Sequence, residues 1–465
     1  MLPSAAELIA HYLRTNGFTE TLTSFVKEAG LPSDVGITAD EKVTIETILQ
    51  EKKTFDLSLN FEKLGTNDAD REWTERAPVT PNTISTLPNR SNILSVNVLH
   101  LSLSATEVRP YIAVTTADRQ LHLVDPSTPN FDLVHSYSSL QDSPTLDVVS
   151  IGSRYLLVAS MSGKLTLFDL SRGSIVDQRH DHTKYLVKLA VHSNGSSVMV
   201  ASAGWDSKVF FYNIDITVDN PRLTLLTSLV LPSIPETIVF IEALDSDHLI
   251  LLVARRDSTF LHYYSVDASD ESGVTLLGQQ NLAPHSNAWV AFTPADVQVC
   301  PKDPHLVAVA TSSTPHMRLL VVKLLLPLSS QRPSSGHVGL ISDDVLEPST
   351  QASQARAELA IANREERAIL VNTNTLAPQT PYSTPRIVWR PDASGVYVSS
   401  DDGVIRGIEA KSGKLVASLK AHEPGSKIRC LWAGHITTDN VDAESSEYLV
   451  SGGFDQKLIL WRVSA

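Results

Sequence analysis

Val200-Ala201-Ser202-Ala203-Gly204-Trp205-Asp206-Ser207-Lys208-Val209-Phe210-Phe211-Tyr212 and Leu449-Val450-Ser451-Gly452-Gly453-Phe454-Asp455-Gln456-Lys457-Leu458-Ile459-Leu460-Trp461 are two copies of one pattern. In each, an apolar strand ends in small residues, turns at an aspartate, and runs out to an aromatic six residues beyond it. Short runs of β-branched and aromatic residues between turn residues signal β structure. Fainter copies run from Ile112 to Val124 around Asp118, Leu156 to Phe168 around Gly163, and Ile250 to Tyr263 around Asp257. Val396 to Ile408 around Asp402 and Val307 to Val322 near Pro315-His316 bring the number to seven. A unit repeated in this way must bury its faces against its neighbours.

The pattern resembles the WD-repeat family, over roughly residues 83–465. The resemblance implies a mainly β fold, a seven-bladed WD-repeat β-propeller built of four-stranded blades. In that family a histidine, a serine or threonine, the turn aspartate and a tryptophan form a hydrogen-bonded tetrad. Blade seven matches it at His422, Ser451, Asp455 and Trp461; blade three has His182, Ser202 and Asp206, with Tyr212 in the aromatic place. A buried carboxylate is tolerable only with donors around it, which is the physical sense of the set. The resemblance also places the residue before each turn aspartate on a rim where partners bind. Those positions are Trp205, Arg256, Asp401 and Phe454, and aromatic and arginine side chains dominate interface energetics. Blade seven lacks an outermost strand of its own; Thr83-Ile84-Ser85-Thr86-Leu87 is expected to supply it, hiding an exposed sheet edge.

Ahead of the repeats the periodicity changes. From Ala5 to Gly30 the chain predicts two short helices broken at Asn16-Gly17, with Ser4 and Glu7 as a capping box and Thr19 as the second cap. Leu8, Ile9, Tyr12 and Leu13 share one helical face; Leu22, Phe25 and Val26 continue it. Helices this short are marginal alone, so their apolar faces must meet something else. Leu8, Ile9, Tyr12, Leu13, Gly17, Phe18, Leu22, Phe25 and Glu28 together resemble the lissencephaly homology (LisH) motif, which implies homodimerisation through residues 1–31. A helix is expected over 38–65, from the Thr38/Glu41 capping box and the spacing of Ile45, Ile48 and Leu49. It either extends the dimer as a short coiled coil or folds back on the LisH pair. Residues 66–82, with Pro78 and Pro81, have the composition of a linker in which Trp73 is a potential anchor. Insertions are expected at about 328–366, with a helix near 354–367 and serines open to phosphorylation, and at about 434–447, an acidic solvated loop.

The 465-residue chain carries a net charge of −14, which argues against nucleic acid as a partner while leaving room for a local basic patch. No apolar run reaches membrane-spanning length, so no membrane partner is expected. The N-terminus lacks secretory character, and Cys300 and Cys430 are the only cysteines, which predicts a reducing compartment, cytoplasmic or nuclear. His180-Asp181-His182 with His192 is a weak metal candidate, because the tetrad already accounts for His182. Gly407 to Gly413-Lys414 has the wrong spacing and setting for a phosphate-binding loop. No catalytic arrangement, cofactor or metal is therefore expected. The order LisH, helix, linker, propeller resembles the lissencephaly/nuclear-distribution class, which regulates dynein on microtubules. It also resembles WD-repeat subunits of ubiquitin ligases and transcriptional corepressors. The expectation is a non-enzymatic homodimeric scaffold; the opposing class is an enzyme that uses the propeller channel.

Overall fold

The computed structural model describes residues 5–37, 44–46, 73, 76–104, 107–138, 140–242, 249–266, 273–286, 291–326, 351–436 and 446–463. The chain divides into two compact units, Met1–Arg71 and Glu72–Ala465. The helix expected over 38–65 lies almost wholly outside the described residues, as do 327–350 and 437–445 within the two insertions.

In the first unit, α1 (Ala5–Thr15) and α2 (Thr19–Glu28) form a hairpin. Gly17 turns it at φ +76°, a conformation glycine adopts without strain. The expectation that Thr19 caps α2 is corrected: Thr19 is its first helical residue, and the capping position, Phe18, makes no side-chain bond to the helix. Residues 31–37 return along α1, where Gly36 O meets His11 Nδ1 at 3.0 Å and Arg14 donates to Ser33 O and Val35 O, each at 3.2 Å. Ala10 and Leu22 are buried, but Ile9, Tyr12 and Phe18 remain exposed.

The second unit is a ring of seven four-stranded antiparallel sheets. The innermost strands of blades one to seven are Ile93–Ser104, Thr145–Ile151, Leu186–Asn194, Pro235–Glu242, Pro294–Cys300, Ile387–Trp389 and Ile428–His435. Second strands are covered on both faces by neighbouring blades, so they run apolar without alternation. Tyr155–Ser160 is buried throughout, whereas outermost Ser174–Arg179 faces solvent over much of its length. Each blade repeats the same path. The hairpins between second and third strands and the connections into the innermost strands therefore all open on one face, the upper face.

Pro78–Ile84 closes the ring by pairing with Leu458–Val463, with Thr83 opposite Ile459 and Ile84 opposite Leu458. The closing strand thus starts inside the stretch expected to be linker and ends before Ser85, earlier than the expected 83–87. Its prolines explain the difference. An outermost strand presents every second N–H to solvent, so it tolerates a residue that cannot donate. Just ahead, Trp73 fills a socket between blades six and seven. A Cβ on Gly395 or Gly407 would come within 2.0 or 2.5 Å of its ring, and Tyr397 packs edge-on at 5.7 Å.

Arg390 stacks over the same ring at 4.8 Å, donates to Arg76 O at 2.7 Å, and grips Glu447 with contacts of 2.7–3.2 Å. Glu447 therefore does not belong to a solvated loop. It opens the second strand of blade seven, Glu447–Gly453, and is buried. In blade five α3 (Gln351–Ala368) precedes the outermost strand Ile369–Pro378, a helix slightly longer than the 354–367 expected. Buried Glu365 fastens it by accepting the Asn281 N–H of blade four at 2.8 Å. Burial pushes that carboxyl up, against the pull of the hydrogen bond.

Candidate functional site

The tetrads hold the upper-face turns in place. In blade seven His422 Nδ1 meets Asp455 at 2.8 Å and its Nε2 meets Ser451 Oγ at 2.8 Å, and Trp461 Nε1 donates to that same oxygen at 2.9 Å. The Glu423 N–H supplies Asp455 with a further donor at 3.0 Å. In blade three His182 bridges Asp206 and Ser202 at 2.9 Å each, and the Thr183 N–H reaches Asp206 at 3.0 Å. The fourth member reaches beyond the family pattern: the Tyr212 hydroxyl lies against Ser202 and also donates to Asp181 at 2.9 Å, and Asp181 is held by Arg179. Burial would raise the Asp206 and Asp455 carboxyls, but the surrounding donors outweigh it and hold both below the usual range. Burial lowers His182, and Asp206 only partly offsets that.

These histidines are thus engaged inside the fold. His180 meets Ser162 O at 3.0 Å and His192 lies against the Phe240 ring, so the metal candidate is not assembled. Among the described residues no group of three or more His, Cys, Asp or Glu is placed to hold an ion. Both thiols are buried, and burial pushes Cys430 up to about 12, far from thiolate chemistry.

Above the tetrads, three of the four residues ahead of a turn are tied by their N–H to the connection entering their own blade: Trp205 donates to Tyr185 O at 2.9 Å, Arg256 to Ile234 O at 2.7 Å and Phe454 to Lys427 O at 2.9 Å. Asp401 instead donates to Pro378 O, at the end of the outermost strand of blade five, at 3.4 Å. The four rim positions form two clusters. In blades three and four, Trp205 lies between Tyr185, 5.1 Å away ring to ring, and Arg256, whose guanidinium sits 5.5 Å from the Trp205 ring. Glu236 fixes Arg256 at 2.7 Å. Trp205 is nevertheless 37% exposed and Tyr185 40%. In blades six and seven, Lys427 joins the two positions: its ammonium pairs with Asp401 at 3.0 Å and its carbonyl holds Phe454, which is 42% exposed.

Sequence reasoning missed Tyr185 and Lys427. The available signal was their place in the connection that follows each tetrad histidine, three and five residues on. It also missed the ionisable groups that converge on the channel. A cavity of about 180 Å³ is lined by six of the seven innermost strands and includes Arg386, Arg429, Lys188, Asp147 and Asp296. Polar groups here latch neighbouring blades: Asn97 donates to Val148 O, Asp147 accepts Leu189 N–H, and Asp296 accepts Ile387 N–H, at 2.8–3.0 Å. A larger open cleft of about 960 Å³ lies beside α3, with His285 paired to Glu366 at 3.0 Å.

Among the described residues no helix is long and apolar enough to cross a membrane. Comparison with curated proteins found no match. Residues 79–462 match the family model described as the UCP007778 β-propeller domain, and residues 6–33 match its LisH domain. That agrees with the seven blades and the helical hairpin seen in the fold, and the chain belongs to the UCP007778 family.

Proposed function

We propose that the chain is a non-catalytic, homodimeric scaffold that presents two propellers to other proteins. The observation that carries this reading is the upper rim. Trp205 is held between Tyr185 and Arg256 yet keeps a third of its surface open. A ring fixed before binding loses little entropy on contact, and aromatic-arginine clusters are what binding hot spots are made of. Phe454 offers a second anchor across the ring.

Dimerisation through LisH is supported by the exposure of Ile9, Tyr12 and Phe18 in a single chain. Two rims on one dimer would turn modest contacts into avidity. The finer role, regulation of dynein on microtubules, rests on the domain order. A ligase or corepressor subunit would use the same rim with a different partner. The buried, reduced thiols accord with the cytosol or nucleus.

Light scattering of the full chain should give twice the chain mass, and Leu13→Ala with Phe25→Ala should halve it. Trp205→Ala with Phe454→Ala should remove captured partners while leaving the melting temperature within a few degrees. A single-chain mass that the LisH variant does not change would overturn the dimer. Unchanged capture by the rim variant would overturn the rim.

A further inference from the structure

Arg386 and Arg429 line one small cavity at the upper end of the channel, with Lys188 on its wall. Acidic groups are present, and most of their oxygens already accept hydrogen bonds. Asp147 takes the Val148 and Leu189 N–H groups at 3.1 and 2.9 Å. Asp296 takes the Ile387 N–H at 3.0 Å on one oxygen, while the other, 3.7 Å from Arg386, is buried without a hydrogen-bond partner. Glu236, whose charge also acts on Arg429, is held by Arg256 at 2.7 Å.

Arg429 Nη1 is left buried without a hydrogen-bond partner. An unpaired guanidinium in a partly dry cavity is costly, and a second one beside it adds repulsion. Burial first, then repulsion from Arg386, push Arg429 down to about 10. Three basic side chains face two acids, of whose four carboxylate oxygens three already accept hydrogen bonds, inside a chain with a net charge of −14.

We propose that the upper mouth of the channel is an oxyanion site, in which Arg429 and Arg386 receive a carboxylate or phosphate group carried on a bound partner segment. The planar donor forks of the two guanidinia suit such groups, which accept two parallel hydrogen bonds. The cavity of about 180 Å³ suits a small polar group rather than a folded ligand. The site lies inside the rim that bears Trp205, Arg256 and Phe454. Delivery by a partner rests on the rim reading above; the anion site itself does not.

The full chain is titrated by calorimetry, and melted, with sodium phosphate, with sodium glutarate as a mimic of an acidic side chain, and with sodium chloride at matched ionic strength. Saturable heat and a rise in melting temperature of about 2–4 °C are expected with an oxyanion and not with chloride. Binding by phosphate alone supports a phosphorylated source, and binding by both supports an acidic side chain. Arg429→Gln should weaken binding by roughly tenfold or more, Lys188→Gln by less, and Trp205→Ala not at all. Should Arg429→Gln not fold, Arg386→Gln serves the same purpose. Equal effects of chloride and phosphate, or full binding by the arginine variants, would overturn the site and leave the scaffold reading standing.

Discussion

Blades three and seven share the same histidine, serine and aspartate relay and differ in how the fourth side chain ends. Trp461 turns its N–H inward to Ser451, so blade seven closes its network on itself. Tyr212 sends its hydroxyl to Asp181 on the connection from blade two, where Arg179 completes an ion pair. The fixed part of the tetrad is the part that satisfies a buried aspartate. The aromatic's polar tip has only to find a partner, and a neighbouring blade supplies one as well as its own. Burial first, and then the Asp181 acceptor, push the Tyr212 phenol up, so it stays a donor at any pH the protein meets.

If the relay is the common element, removing its carboxylate should cost the same in both blades. Asp455→Ala and Asp206→Ala should each lose about 3 kcal/mol in urea unfolding, agreeing within about 1 kcal/mol. A much smaller loss in blade three would break the equivalence.

Acid should separate these blades from blade four, where His262 has no aspartate. Its Nε2 accepts from Arg255 at 3.4 Å, and burial followed by Arg255 repulsion lowers it from 6.5 to about 4. The unfolded chain then binds this proton more readily than the folded one. Stability is full above pH 6.5 and falls as pH drops toward about 4. The loss is about 3 kcal/mol at most, less for the residual solvent access of the ring. His182, lowered in the same direction, adds to it, and the depressed Asp206 and Asp455 extend the decline below pH 3.8. His262→Gln should flatten the profile between pH 6.5 and 4; an unaltered slope would place the acid sensitivity elsewhere.

The fourth position should give the smallest effect and the finest distinction. Tyr212→Phe should cost about 1 kcal/mol and Trp461→Phe about 1–2 kcal/mol, the latter with some lost volume. Only Tyr212→Phe should speed amide exchange in the connection around Asp181, because only there does the tip reach a neighbour.

The seven blades were legible because turn, small residues and aromatic recur in fixed register. A one-residue slip would move every side chain to the wrong face. The closing strand was half hidden, because Pro78 and Pro81 carry a linker's composition into an outermost strand. Glu447 was hidden by its acidic neighbours in sequence, while its real partner, Arg390, lies 57 residues away. The rim positions could be named from the repeat. Their pairing of Trp205 with Arg256, and the two guanidinia facing the channel, depend on how blades meet, which no single repeat encodes.

Closing the ring with a strand from the N-terminal side has a mechanical consequence. Any pull transmitted from the helical unit runs along the chain to Trp73 and the Arg76 carbonyl before it reaches Pro78–Ile84. The socket of Gly395 and Gly407, and the Arg390 clamp, therefore act as a strain relief. They take up tension at the junction of blades six and seven, and so keep the seam between the first and last strands of the ring from being peeled open.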